Sequence, residues 1–371
     1  MTIHTSAKAR LYWRPTALID APFGLDGQFA RLAGGMQFFS AWHVVATEQG
    51  RRVGHWLIPI DRMDEALAAI SPEQAAASRT IIARATAPRA ALKLGDRIIP
   101  LDQPQVMGIL NMTPDSFSGG SAHMDDPAGA ADQAVQMTAA GAALIDIGGE
   151  STRPGATDVW EQDEIKRVVP VISALKPSGT AISLDSRKAA VMEAGLKAGA
   201  HLINDVSALL YDDRALEIVA KAKCPVVLMH YPGTASDPHS AASDADPLIA
   251  VYDWLDARID AVVAGGVDRG RIIVDPGIGF GKSVAENMAV LTGLALLHGL
   301  GCPILLGASR KRLIGALSHE APPDKRLGGS IALAMKGVEQ GAQLIRVHDV
   351  PETVQAIRVW RGQRDAALSA R

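Results

Sequence analysis

Val106-Met107-Gly108-Ile109-Leu110-Asn111 and Leu144-Ile145-Asp146-Ile147-Gly148-Gly149 are short apolar runs that close on a polar residue or on glycine, and an alanine-rich, helix-like span, Pro127–Ala140, lies between them. The unit recurs toward the C-terminus. Ile182–Asp185, Leu202–Asp205, Val226–His230, Ile272–Asp275, Ile304–Ser309 and Leu344–His348 are further apolar blocks, interleaved with helix-like spans such as Asp163–Leu175, Ala189–Ala198 and Ser330–Gln340. Strands written as near-continuous apolar blocks and alternating with helices belong to a parallel sheet buried on both faces. About eight such units over roughly 250 residues is what a closed barrel needs, whereas an open doubly wound sheet usually has fewer. The expected fold class is therefore α/β, a (β/α)8 TIM barrel over 105–371.

Residues 1–104 read differently. They hold several of the few large aromatics (Trp13, Phe23, Phe29, Phe38, Phe39, Trp42, Trp56). Arg52–Ile60 has the composition of a strand, and Asp61–Ile70, with Met63, Ala66, Leu67 and Ile70 on one stripe, that of a short helix capped near Asp61. No catalytic constellation stands out there, so a small additional α+β extension packed on the barrel is expected.

Bulk properties bound the function. A formal net charge of −3 gives no basic field for nucleic acid or an anionic membrane surface, so any bound anion must be held by a local site. The segment Met1–Asp20 lacks an apolar signal core, and no apolar stretch is long enough to cross a bilayer; a cytoplasmic protein is expected. Cys224 and Cys302 each precede a proline and an apolar run, which suits small core side chains; a disulfide or a metal pair is the alternative.

In a barrel of this kind the active site is built at the C-terminal ends of the strands. Those ends carry Asn111, Glu150, Ser151, Thr152, Arg153, Asp185, Asn204, Asp205, Met229, His230, Asp275, Ser309, Lys311, Arg346 and His348. So many charged groups beyond apolar strand interiors suggest a ligand that pairs with them, because an unpaired buried carboxylate is costly. The glycines of Asp275-Pro276-Gly277-Ile278-Gly279-Phe280-Gly281-Lys282-Ser283 fit neither common phosphate pattern. Pro276 stands where a Walker loop needs glycine, and the third glycine comes one residue early for a dinucleotide fingerprint. A tight turn using glycine for backbone reasons is the plain reading.

The segments GILNMTPDSFS, IDIGGESTRPGA, SLDS, GAHLINDVSAL, VVLMHY, DPGIGFGK, LLGASRK and LIRVHDV, in this order from about Gln105 to the end, resemble the successive motifs of dihydropteroate synthases. That resemblance implies a transferase of folate biosynthesis, joining 6-hydroxymethyl-7,8-dihydropterin diphosphate to p-aminobenzoate with release of diphosphate. It implies a pterin site at Asp185, Asn204, Met229, Asp275 and Lys311, and a p-aminobenzoate pocket at Thr152, Pro154, Phe280 and Ser309. It implies diphosphate binding by Asn111, Arg153, Arg346 and His348, with Mg2+ on Asn111. Arg153, Lys311, Arg346 and His348 are then the catalytic cations, the partners are small molecules alone, and the assembly is a homodimer. Phe280 and Met229 are equally ordinary core residues, His348 taken alone a core histidine, and Lys311 a structural ion-pair partner of one aspartate. Two departures stand out. Ser116-Phe117-Ser118-Gly119-Gly120 lacks the aspartate usual between that serine and the glycines, leaving Asp115, Asp125 or Asp126 as substitutes. Ser186-Arg187-Lys188-Ala189 lacks the proline often found after the lysine. A non-catalytic pterin-binding paralogue and a methyltetrahydrofolate-dependent methyltransferase are the competing readings.

Overall fold

The computed structural model describes residues 3–113, 126–152, 156–233 and 246–369. Its first part is an antiparallel sheet of β1 (Arg10–Ile19), β2 (Ala30–Arg31), β3 (Phe38–Glu48) and β4 (Arg51–Pro59), followed by α1 (Met63–Ala68) and α2 (Pro72–Thr86). Trp13, Phe39 and Trp42 meet edge-to-face at the centre of its core, and the Trp13 indole donates to Ser78 Oγ on α2 at 2.8 Å. Helix α2 starts on a capping box between Ser71 and Gln74, with Pro72 in its first turn. Asp61 does not cap the preceding helix as the sequence suggested. It sits inside a 3-10 turn, Ile60–Arg62, so its own backbone is already helical, and Met63 to Ala68 continues from there.

The opposite face of the sheet is also buried, against the main domain. Tyr12 packs edge-on against Tyr252 at 5.6 Å, its hydroxyl donates to Asp253 at 2.9 Å, and Arg10 bridges Asp253 and Asp256. Arg89 donates to the carbonyl of His298.

The main domain alternates β7 (Gln105–Asn111), α3 (Pro127–Ala140), β8 (Leu144–Gly148), α4 (Glu161–Leu175), β9 (Ile182–Asp185), α5 (Ala189–Ala198), β10 (Leu202–Asp205) and α6 (Ala215–Ala222). It continues through β11 (Val226–Met229), α7 (Pro247–Ala264), β12 (Ile272–Asp275), α8 (Val284–Thr292), β13 (Leu305–Leu306), α9 (Arg312–Leu317), α10 (Leu327–Glu339), β14 (Leu344–Val347) and α11 (Val350–Ser369). The eight parallel strands run in the order β12-β11-β10-β9-β8-β7-β14-β13, and a parallel bridge between Val274 and Ile304 joins the two end strands into a barrel.

Alternation along the strands sets two environments. Ile145 and Ile147 of β8 face the helices, while Leu144 and Asp146 face inward. The lowest inward layer is wholly apolar: Met107, Leu144, Ala181, Leu202, Val227, Ile273, Leu305 and Leu344. A hairpin of β5 (Leu92–Leu94) and β6 (Arg97–Ile99) seals this end, packing Leu92, Leu94, Ile99 and Leu101 onto the layer. Above it the interior turns polar, which leads to the site. Cys224 and Cys302 are free and buried, and burial pushes both thiols up to about 11. Among the described residues no helix is long and apolar enough to cross a membrane.

Candidate active site

At the C-terminal ends of the strands a cavity of about 890 Å³ is lined by Asn111, Glu150, Thr152, Asp185, Phe280, Ser309, Lys311, Arg346 and His348. A smaller pocket of about 50 Å³ shares Thr152, Asp185, Phe280, Lys311 and Arg346 with it and adds Asn204, Met229 and Asp275. The structure thus gathers residues that the sequence spreads over 238 positions, from Asn111 to His348 counted inclusively. Arg153 and Pro154 lie outside the described residues, as do Asp115, Asp125 and the Ser116–Gly120 loop. Asp126 is described and caps α3, accepting from Gly129 N at 2.9 Å.

The hub of the site is a residue that strand-end reading overlooks. Asp146, fully buried in the middle of β8, accepts from Ser183 Oγ at 2.5 Å, from Asn204 Nδ2 at 2.9 Å and from Arg346 Nε at 2.5 Å. Arg346 reaches on through Nη2 to Asp185 Oδ2 at 2.7 Å. Burial and the neighbouring carboxylates raise the Asp185 carboxyl while Arg346 opposes them; the guanidinium stays firmly charged. The charge of Arg346 is therefore shared with two carboxylates as well as turned to the cavity. An aspartate inside an otherwise apolar strand, at the inward-facing parity, was the available sign of this hub.

Asp275, at the end of β12, accepts from Gly277 N at 2.7 Å, and burial pushes its carboxyl up to about 6 against the pull of that N–H and of Lys311, Arg346 and Lys282. The turn that follows explains its glycines. Gly277, Gly279 and Gly281 have φ of +66°, +82° and +53°, and a Cβ on Gly277 would stand 1.8 Å from the His230 carbonyl oxygen. Lys282, which no phosphate pattern claimed, ties the turn by donating to the carbonyls of Gly277 at 2.9 Å and Phe280 at 3.2 Å. Burial brings its ammonium down to about 7. The turn presents Phe280, whose ring centroid lies 4.3 Å from Lys311 Nζ and which packs with Val206, Met229 and Tyr231. Arg346, on β14, and His348, just past its end, both line the cavity, and His348 Nδ1 shares a 3.0 Å hydrogen bond with the Ser309 hydroxyl. Among the described residues no group of three or more His, Cys, Asp or Glu could hold a metal.

The arrangement offers a flat ligand a floor of carboxylates and amide, one apolar wall, and cations beside it. Comparison with known proteins agrees. A family profile described as "Pterin binding enzyme" matches residues 107–348. The dihydropteroate synthase of Escherichia coli K12 is 42% identical over 274 residues, 74% of this chain and 95% of that protein. The Xanthomonas albilineans dihydropteroate synthase, solved with 4-aminobenzoic acid, superposes with a TM-score of 0.69 at 44% identity, covering 74% of this chain and 98% of that one. The Yersinia pestis enzyme, solved in a sulfonamide drug complex, gives 0.70 at 45% identity, covering 74% and 99%. The chain belongs to the pterin-binding enzyme family and stands among its dihydropteroate synthases.

Proposed function

We propose that this chain condenses 6-hydroxymethyl-7,8-dihydropterin diphosphate with p-aminobenzoate to give 7,8-dihydropteroate and diphosphate. The observation that carries the reading is the trio of buried Asn204 and Asp275 and partly exposed Asp185, facing one pocket beside Lys311. A pterin's 2-amino and N3 groups form a paired donor edge that Asp275 accepts, Asn204 and Asp185 read the other ring nitrogens, and Lys311 donates to acceptor atoms. Met229 and Phe280 give the apolar walls, and Thr152, Pro154 and Ser309 complete the place for p-aminobenzoate.

The reaction breaks the bond between the pterin's exocyclic carbon and the diphosphate oxygen and forms one from that carbon to the aromatic amine, whose proton passes to solvent. The amine is neutral at pH 7 and the electron-rich ring supports positive charge on the carbon, so no strong base is required. Arg153, Arg346 and His348 stabilise the charge of the departing diphosphate, and the pocket aligns the amine. Asn111 contributes one neutral oxygen donor, which fits Mg2+ only in company with substrate oxygens and water. When bound there, the ion would neutralise diphosphate charge. A homodimer in the cytoplasm belongs to the same proposal, and sedimentation of the full chain tests its first half.

The test is pyrophosphate release by purified protein with Mg2+ and the pterin diphosphate, with and without p-aminobenzoate. Release that depends on p-aminobenzoate and yields dihydropteroate supports the synthase. Tight pterin binding without release supports a non-catalytic paralogue instead, and methyl transfer from methyltetrahydrofolate the third reading. Sulfonamides are expected to inhibit, with inhibition relieved as p-aminobenzoate rises; inhibition indifferent to p-aminobenzoate would remove the pocket assignment around Thr152 and Phe280.

A pH dependence follows from Asp275. The pterin's donors need the ionised carboxylate, and in the free protein that form is lost as pH falls through about 6. Affinity for 6-hydroxymethyl-7,8-dihydropterin, which lacks the titrating diphosphate, should fall up to about tenfold per unit below that pH. Calorimetric titrations between pH 5 and 8 check it, and a flat profile would detach Asp275 from the pterin.

A further inference from the structure

Beyond β8, Glu150 and Val159 are tied together by a set of buried charges that no step of the reaction uses. Glu150 Oε1 accepts from Val159 N at 3.0 Å and from Lys188 Nζ at 2.8 Å, and its Oε2 accepts from Arg187 Nε at 3.0 Å. Lys188 Nζ also donates to the Val159 carbonyl at 2.6 Å and to Glu164 Oε2 at 2.7 Å. Glu150, Arg187, Lys188 and Glu164 have side chains no more than 8% exposed, and their charges balance. Arg187 extends the set outward to Asp158, at 2.8 Å, and lies over the Tyr211 ring at 4.1 Å.

Burying four charges is a poor device for stability, because well-packed apolar side chains serve as well or better. What this set supplies is geometry. It joins Glu150, two residues past the end of β8, to its ninth successor, Val159, and both to Lys188, three residues past the end of β9. Ser151 and Thr152, which line the cavity, follow Glu150 directly. Asp185 itself is held independently, by Arg346.

Resting on the synthase reading, we propose that Glu150 is a positioning residue for the acceptor: fixed by Arg187, Lys188 and Val159, it sets Ser151 and Thr152 against the p-aminobenzoate pocket, while Asn204 and Asp275, which meet the pterin ring, are held by other partners. Steady-state kinetics of the full chain with p-aminobenzoate varied, together with calorimetric binding of 6-hydroxymethyl-7,8-dihydropterin alone, test it. Glu150→Gln should raise KM for p-aminobenzoate about tenfold or more, lower kcat less, and leave the Kd of 6-hydroxymethyl-7,8-dihydropterin, which lacks the diphosphate assigned to Arg153, within twofold. Asp158→Ala, which removes only the exposed end of the set and should fold normally, should raise the same KM two- to threefold. Equal weakening of p-aminobenzoate and of 6-hydroxymethyl-7,8-dihydropterin, or a lowered thermal midpoint with neither constant moved, would overturn the proposal. If Glu150→Gln does not fold, an unshifted KM in Asp158→Ala does so. Wild-type turnover is the reference: its absence fails the synthase reading, whereas turnover with unshifted constants in the variants fails only the positioning.

Discussion

Asp275→Asn is expected to bind the pterin at least about a hundredfold more weakly than the natural chain while folding as well or slightly better. A charge-assisted hydrogen bond is worth about 1.5–3 kcal/mol, and two of them directed at the pterin's donor edge correspond to a hundredfold or more in affinity. Asparagine also turns a donor toward that edge. The folding half of the expectation has the opposite sign for a physical reason. Asp275 is 7% exposed and its carboxyl is raised by burial to about 6, so the stability it contributes is full below its unfolded pKa and is lost as pH rises through about 6. At pH 7 the natural chain bears the cost of an ionised buried carboxylate; the amide removes that cost and still accepts from Gly277 N. Lys311→Ala should weaken pterin binding comparably, since it removes the donors beside Phe280. Fluorescence or calorimetric titration with the pterin, alongside thermal melts, measures both halves. Unchanged affinity in either variant ends the role assigned to that residue.

Asp146→Ala should be the most damaging single change in the barrel, destabilising it by about 3–5 kcal/mol. It strands Arg346 Nε, Asn204 Nδ2 and Ser183 Oγ together, and breaking a buried ion pair by deleting one partner leaves an uncompensated charge. Asp146→Asn keeps the shape and should cost less, yet still release Asn204 and Arg346 from their fixed orientations. Urea titration gives the stability change, and pterin affinity in the folded fraction gives the functional one. A loss below about 1 kcal/mol in Asp146→Ala would mean that Arg346 is held by Asp185 alone.

The barrel was legible because its strands are apolar blocks and its helices alanine-rich: Pro127–Ala140 and Ala189–Ala198 coincide with α3 and α5. Errors gather where local signals conflict. Helix α10 starts at Leu327 rather than Ser330, because Gly328 and Gly329 look like a boundary but lie inside it. Ile304–Ser309 contributes only Leu305–Leu306 as strand, with Ile304 in a single bridge. In the extension, β1 was invisible: both its faces are buried, so it lacks alternation, and it contains Pro15. Reading strand ends found Asp185, Asp275 and Arg346 but passed over Asp146, which lies within a strand. The contact of Glu150 with Lys188, 38 residues apart, has no counterpart in the order of residues, since pairing between loops is decided by how the barrel closes.

The β5–β6 hairpin makes the barrel a blind well. With Leu92, Leu94, Ile99 and Leu101 stoppering the far end, the described residues leave the cavity open toward the C-terminal ends of the strands, so depth becomes order in time. A ligand seated on Asn204 and Asp275, in the smaller pocket, would have to arrive before anything that fills the larger cavity beside Ser309, and to leave after it. A bisubstrate enzyme built on this well would load its two substrates in a fixed sequence and discharge its joined product only once the outer space had cleared.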